Sequence, residues 1–207
     1  MVVTAIIQQK KDTAKYNIFV DGTFAFALSM QDIAYFKLKE GVQIAQQTYD
    51  FIQENLIYIK AQDTALHYLG YQMRTQAQVR KKLEEKGFAE PVVERVMAFL
   101  SKYGYCDDMA YAKSYIRQCQ KLRPKGAYVL KMELHQRGVA QEIVEQAIQE
   151  AGLCEIEDAA YWIRKKIKGS IEDLDEKEKR RLYGFLQRKG YRWDTIAEAM
   201  RMIQEEV

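Results

Sequence analysis

The pattern that most constrains this chain is a phrase that occurs three times: apolar residue, three residues, leucine, three residues, glycine, apolar residue. It reads Val79/Leu83/Gly87/Phe88, then Leu130/Leu134/Gly138/Val139, then Leu182/Leu186/Gly190/Tyr191. The motif leucines stand 51 and 52 residues apart. A period near fifty residues marks tandem units, each too small to bury a full core alone. The i, i+4 spacing puts both apolar residues on one helical face, and glycine supplies the left-handed residue that ends such a helix. Five residues beyond each closing hydrophobe stands Val93, Val144 or Ile196, and four further on Met97, Ile148 or Met200. Upstream, each unit carries Ala-x-x-aromatic-apolar: Ala65/Tyr68/Leu69, Ala112/Tyr115/Ile116 and Ala159/Trp162/Ile163.

Each unit therefore reads as three helices whose stripe residues, the aromatics Tyr68, Tyr115 and Trp162 included, form a core. The expected fold class is mainly α: tandem three-helix repeats at 61–104, 105–153 and 154–207, in an elongated array. From motif alanine to motif leucine the separation grows from 18 to 22 to 27 residues. That growth assigns insertions to the link between first and second helices, where repeat proteins often bind.

Residues 1–60 follow another rule. Asp21-Gly22 between two apolar runs is a strong hairpin signal, because both turn positions need positive φ. Three antiparallel strands are expected at 2–8, 15–21 and 23–28, giving a small N-terminal β-rich extension. Ser29 with Asp32 opens a short helix over 30–37 by the Ser-x-x-acid pattern, and Lys39-Glu40-Gly41 closes it. Six bases face six acids in this stretch, so a docking or dimer surface is as credible there as a nucleic-acid one. Past residue 60 the pattern turns helical.

Composition removes several function classes. With 48% hydrophobic and 29% charged residues the chain is a folded one. Two prolines and 11 glycines favour helices over a turn-rich sandwich. No apolar run reaches the ~18 residues of a membrane span, and MVVTAIIQQKKD places its apolar residues ahead of its charges, the reverse of a secretory signal. A soluble cytoplasmic protein without membrane contact is expected, most simply a monomer. Cys106, Cys119 and Cys154 form no CxxC, and His67 and His135 form no HExxH, which fits reduced thiols and leaves no metal or cofactor motif. The phosphate-loop, nucleophile-elbow and dinucleotide fingerprints are missing. Asp107-Asp108 reads as a helix N-cap with a first-turn acid. Its rival reading, a metal-dependent nuclease pair, lacks further carboxylates at ligand spacing. The chain is expected not to be an enzyme.

Charge then carries the functional reading. The 32 bases and 29 acids leave a formal charge of only +3, but they are sorted along the repeat. Bases gather at the first links and along second helices: Arg74, Arg80, Lys81 and Lys82; Arg117, Lys121, Arg123 and Lys125; Arg164, Lys165, Lys166, Lys168, Arg180, Arg181, Arg188 and Lys189. Third helices carry acids instead: Glu90 and Glu94; Glu142, Glu145 and Glu150; Asp194, Glu198, Glu205 and Glu206. Recurrence at equivalent positions points to a face for a polyanion or an acidic partner. It argues against helix-turn-helix readers, since third helices bearing Pro91 and glutamates would set carboxylates against phosphates.

The same residues carry a family resemblance. Ala65-Leu66-x-Tyr68-Leu69, Arg74-Thr75 and Val79-Arg80-x-x-Leu83-x3-Gly87-Phe88 resemble the opening block of the RecX regulatory proteins. Gly104-Tyr105-Cys106-Asp107-Asp108-x-x-Tyr111-Ala112-x-x-Tyr115, with Lys125-Gly126 and Glu133-Leu134-x3-Gly138-Val139, is similar to that family's most diagnostic stretch. The match spans roughly 60–207, and the hairpin segment resembles the N-terminal extension of longer members. The resemblance implies a non-enzymatic modulator of the RecA recombinase, built of three three-helix repeats lying in the groove of the RecA–single-stranded DNA filament. There it would hinder ATP hydrolysis and strand exchange and limit filament growth, touching single-stranded DNA directly or through RecA. The family's Arg-x-Arg-Ser run is altered: Gln72 replaces its first arginine and Thr75 its serine, although Thr75 and Gln78 still form a capping box. The basic residues named above are the expected contacts. The alternative reading is a nucleic-acid-binding helical regulator that acts without RecA.

Overall fold

The computed structural model describes residues 1–10, 12–167 and 169–205, so Lys168 and Glu206, assigned above to the basic and acidic sets, lie outside the described residues. The chain divides into two units, Met1–Cys106 and Asp107–Val207.

The first unit begins with an antiparallel sheet in the order β1 (Val3–Gln8), β2 (Lys15–Val20), β3 (Thr23–Ser29). Asp21 and Gly22 both take positive φ, 48° and 79°, which lets the hairpin turn with the strands' own twist. Alternation sends Ile18, Val20, Phe26 and Leu28 inward. Ser29 and Asp32 form the expected capping box on α1 (Met30–Tyr35). This helix closes earlier than Lys39-Glu40-Gly41. Lys37 turns left-handed at φ 54°, and the Leu38 N–H donates back to the Ile33 carbonyl at 3.0 Å.

Helix also starts earlier than residue 60. Helix α2 (Gln46–Ile52) passes through one π-helical turn, Gln53–Ile57, into α3 (Tyr58–Tyr71). The buried residues here are Ile52, Ile57, Ala61 and Ala65, spaced five, four and four. A π turn absorbs the extra residue and keeps all four on one face. An ordinary helical period does not match that spacing, which hides the helix from a periodicity reading. With α4 (Gln76–Glu85) and α5 (Glu90–Lys102) these residues share one core with the sheet: Ile18, Phe26 and Leu28 meet Ile52, Ala61, Val79, Leu83, Val93 and Leu100. The N-terminal hairpin therefore packs onto the first three-helix set. Each fully buried Leu, Ile or Phe of this shared core contributes roughly 1.5–3 kcal/mol to folding of the unit.

The second unit contains α6 (Asp108–Leu122), α7 (Ala127–Gln136) and α8 (Gln141–Ala151), then α9 (Glu155–Lys166), α10 (Glu176–Arg188) and α11 (Trp193–Glu205). Each trio has its own core, around Leu130, Leu134 and Val144 in one and Ile163, Leu186 and Ile196 in the other. The repeated phrase has one backbone meaning in all three places. Gly87, Gly138 and Gly190 are left-handed, at φ 80°, 80° and 98°. The N–H of the following hydrophobe, Phe88, Val139 or Tyr191, donates to the motif leucine's carbonyl at 3.3, 3.1 and 3.3 Å. This is the Schellman closure, and only a residue without Cβ adopts its glycine position freely.

The growing spacing has a different origin from a lengthening link. The links are residues 72–75, 123–126 and 167–175. In the second repeat the extra residues continue α6 by a further turn past Ala112. Only the third repeat lengthens the link, and α10 adds to it, with 13 residues against 10 in α4 and α7.

Two glycines join the trios of the second unit. A Cβ on Gly126 would stand 2.3 Å from the Gly190 carbonyl oxygen, and one on Gly190 would stand 2.9 Å from Val129 Cγ2. The bare backbones touch, and the Gly126 N–H donates to the Lys189 carbonyl at 2.9 Å. The Ala127 N–H donates to Glu155, and the Trp162 indole N–H donates to the Pro124 carbonyl at 2.8 Å. Residues of α9 and α10 thus satisfy the link that opens α7.

Asp158, in the first turn of α9, sits beside this seam. Burial, with Glu155 and Glu157 adding repulsion, pushes its carboxyl up from 3.8 to about 6. Because the folded state prefers the protonated acid, the stability it contributes is complete below about pH 4 and lost as pH rises through 6. Such a displacement, taken in full, is worth about 3 kcal/mol; solvent reaches the half-exposed carboxyl and reduces this to about 1 kcal/mol. Asp158→Asn should therefore be more stable than the parent by about that amount at pH 8, with the gain vanishing toward pH 4. Urea unfolding at the two pH values measures it, and an equal gain at both would assign the effect to something other than ionisation.

Candidate interaction surface

The basic residues expected from the sequence fall into distinct environments. In the first unit Arg80 Nη1 bonds Glu90 Oε1 and Glu94 Oε1, both at 2.8 Å. A base of the second helix is here matched to acids of the third, so the two signs meet at this point. Arg74 lies over the Tyr68 ring at 4.3 Å, and Lys82 over the same ring at 5.6 Å. With its amide oriented oxygen-first, Gln72 accepts from both Arg74 terminal nitrogens, at 2.6 and 2.9 Å. Glutamine at this altered position therefore holds the next arginine in place. Thr75 and Gln78 complete the capping box of α4. Lys81 is exposed.

The aromatics assigned to the core have a second role. Tyr115 carries Arg137 at 4.4 Å, and Trp162 carries Lys189 at 4.2 Å. Arg137 and Lys189 both stand immediately before the motif glycine, so the helix closure itself aims a cation at the repeat's aromatic. Such contacts are worth ~0.5–2 kcal/mol and fix the direction of an otherwise mobile side chain. Arg137 was not among the expected contacts; its place before the glycine was the available signal.

The densest arrangement lies where the two trios of the second unit meet. Trp162 and Phe185 pack edge to face with ring centres 5.7 Å apart. Lys189 lies 4.2 Å from the Trp162 ring and 5.7 Å from Phe185; Lys165 lies 5.5 Å from Trp162, and Lys166 4.9 Å from Phe185. Burial, and then repulsion from Lys125 and Arg123, holds the Lys189 ammonium below the ordinary lysine value, with Glu133 opposing. Lys125 is clamped to Glu133 at 2.6 and 2.7 Å, and the Tyr115 hydroxyl donates to the same carboxylate. Burial pushes the Glu133 carboxyl up, and the hydrogen bonds from Lys125 and Tyr115 more than reverse this, leaving it below its ordinary value. Lys165, Lys166 and Lys189 thus lie over one aromatic floor, Arg123 and Lys125 stand near enough to repel Lys189, and Glu133 is the acid facing Lys125 and Lys189.

The remaining expected contacts flank this centre or stand apart from it. Lys166, Arg181 and Arg188 line a groove of about 320 Å³ floored by Leu174, Leu182 and Phe185, with Glu178 at its wall. Arg117 and Lys121 line another of about 590 Å³ between α6 and α8, where Lys113 pairs with Glu150 at 2.6 Å. Arg164 and Arg180 are exposed. At the head of α6, Asp107 is the N-cap, accepting from the Met109 and Ala110 N–H groups at 2.8 and 3.0 Å. Among the described residues no three His, Cys, Asp or Glu side chains gather as metal ligands, and no helix is long and apolar enough to cross a membrane.

Comparison with known proteins places the whole chain. Residues 1–45 match the regulatory protein RecX N-terminal domain, and 61–100, 107–148 and 154–200 match the first, second and third RecX three-helix domains. Regulatory protein RecX of Bacillus subtilis is 30% identical over 205 residues, covering 99% of this chain and 78% of that one. Its counterpart in Clostridium acetobutylicum is 28% identical over 99% of this chain and 97% of its own. A crystal structure of a regulatory protein RecX superposes with a TM-score of 0.60 at 25% identity, over 99% of this chain and 98% of that one. RecX from Lactobacillus salivarius shares the fold, with a TM-score of 0.65 over 72% of this chain and 97% of that one. A sheet-bearing N-terminal domain followed by three three-helix domains, matched in order from residue 1 to residue 200, makes this chain a member of the RecX family of regulatory proteins.

Proposed function

We propose that the protein binds the RecA–single-stranded DNA filament and restrains its ATP hydrolysis, strand exchange and growth by occupying the filament's surface, without chemistry of its own. The observation that carries this reading is the gathering of Lys165, Lys166 and Lys189 on the Trp162–Phe185 floor, with Arg123 and Lys125 near enough to repel Lys189, in a family of regulatory proteins. Crowded like charges with a partly buried, depressed lysine form a site that gains when an anion arrives. Carboxylates on a protein partner and phosphates on a strand both answer that description. Repeats carrying several such patches gain further, since each added contact is effectively intramolecular. The protein acts in the cytoplasm on this reading, with domains at 1–60, 61–104, 105–153 and 154–207.

The test is direct. The purified protein should co-sediment with RecA filaments on single-stranded DNA and lower their ATP turnover when present at fewer copies than RecA. Absence of co-sedimentation at moderate salt would overturn the reading. Tight binding to naked DNA with a steep salt slope and no effect on RecA would replace it with a regulator acting on nucleic acid alone.

A further inference from the structure

A second surface of the same unit lies apart from the basic cluster, on residues that the proposed function does not use. A shallow cavity of about 450 Å³ is lined by Tyr128 and Lys131 of α7, by Gln187 in the last turn of α10 and by Arg192 just before α11. It exists because Gly126 and Gly190 bring those two turns into backbone contact. Tyr128 is 71% exposed, and Trp193, next to Arg192, is 61% exposed. Trp193 is stacked on Tyr183 with ring centres 4.2 Å apart and planes within 28°. The protein's other tryptophan, Trp162, is 8% exposed, with its N–H taken by Pro124.

We propose that this cavity and the adjoining Tyr183–Trp193 stack form a direct binding site for an unpaired nucleic-acid strand, with bases on Tyr128 and Trp193 and phosphates on Lys131 and Arg192. Exposed aromatic faces among cations are the recurring equipment for holding single strands, because every base has a face to stack and every linkage a charge to neutralise. The Tyr183 ring supports Trp193 from behind, so the indole is ordered before a base arrives, which lowers the entropy lost on binding. Arg192 faces Asp194 at 3.4 Å with both groups largely exposed, a pairing weak enough for a phosphate to replace. No Asp or Glu lines the cavity: its polar side chains are Tyr128, Lys131, Gln187, Tyr191 and Arg192. The inference extends the filament reading to direct strand contact, yet its test needs no recombinase.

The test titrates the full-length protein with oligo(dT) at low salt and follows tryptophan emission. Stacking should quench the Trp193 contribution, and Trp193→Phe should remove most of that quench. Trp193→Ala and Tyr128→Ala should each weaken binding roughly tenfold, the scale of one lost base stack. Lys131→Ala and Arg192→Ala should each lower the slope of log affinity against log salt by about one. All four positions are exposed or half-exposed, and unchanged circular dichroism and melting temperature would certify the fold. Oligo(dT) binding with no tryptophan quench, or with Trp193→Ala and Tyr128→Ala at parental affinity, would overturn the proposal. So would poly-glutamate competing at equal charge as well as the oligonucleotide, because the site would then read charge alone. RecA ATPase inhibition run alongside keeps the readings apart: a Trp193→Ala protein that still inhibits RecA but no longer binds free strand supports this site, whatever carries the filament effect.

Discussion

Replacing Gly126 with alanine should destabilise the second unit by about 3 kcal/mol, more than its single methyl suggests. Nothing about the backbone of Gly126 demands glycine, since its φ of −68° and ψ of 158° suit any residue. The obstacle lies across the seam, where the new Cβ would meet the Gly190 oxygen at 2.3 Å, the Gly190 carbon at 2.5 Å and the Tyr191 nitrogen at 3.0 Å. All three are main-chain atoms of a closed helix turn, so no side chain can swing aside. Relief requires the two trios to part by about an ångström. That breaks the Gly126–Lys189 hydrogen bond, shifts the Pro124 carbonyl from Trp162 and opens the packing of Val129 on Gly190. A melting temperature lower by roughly 6–12 °C is expected for a chain of this size.

Gly184→Ala supplies the internal comparison. Gly184 lies within α10, and its new Cβ would find only the end of Arg188, at 3.5 Å, an ordinary contact. Removing a flexible glycine from a helix interior should raise stability by ~0.5–1 kcal/mol. Opposite signs for two glycine-to-alanine changes in one unit, read by thermal unfolding, would identify steric contact as the cause. A Gly126→Ala protein as stable as its parent would mean that the seam yields easily, and the basic cluster built across it would lose its rigid frame.

Legibility in the sequence follows the range of the force involved. Local rules were readable: the Asp21-Gly22 turn, the Ser29/Asp32 and Thr75/Gln78 boxes, the Asp107 cap and the three glycine closures each depend on a few neighbouring residues. The helix from Gln46 was not, because a π turn breaks its period between Ile52 and Ile57. Nor was the docking of the sheet onto the first repeat, which depends on the shapes of two apolar faces rather than on any motif. The basic cluster was half visible. Lys125 and Lys189 were identified by charge and repeat position, 64 residues apart, but nothing in a repeat period says that the link of one unit touches the turn of the next. Gly126 was readable only as part of a Lys-Gly pair; its partner across the seam was not. Arg80 shows the converse: a charge conspicuous in the sequence turns inward to Glu90 and Glu94, because ten- and fourteen-residue separations across a tight turn bring neighbouring helices together.

These environments rank the bases by how a partner would feel their loss. Lys165 and Lys166 are exposed in the last turn of α9, each over an aromatic ring, and among the described residues neither forms an ion pair. Changing both to glutamate should raise the amount of protein needed to half-inhibit RecA's single-strand-dependent ATPase at least tenfold, a loss of about 1.4 kcal/mol in binding. The effect has two parts: attraction is removed, and a like charge is set against the partner's anions. Glutamate at a helix C-terminus also opposes the helix dipole, at ~0.3–1 kcal/mol each, so Lys165→Gln with Lys166→Gln separates folding from binding. The neutral pair gives up only the weak ring and dipole contacts, so it should melt within a few degrees of the parent and still lose several-fold in inhibition. Arg80→Glu should behave in the opposite way, lowering stability by crowding a third acid against Glu90 and Glu94 while changing inhibition less, because Arg80 already spends its charge within the unit. Lost inhibition should return partly at low salt, where screening no longer weakens the remaining bases. If the folded double-glutamate protein inhibits RecA as the parent does at moderate salt, the floor of Trp162 and Phe185 is a structural seam that happens to be basic, and the filament contact lies elsewhere.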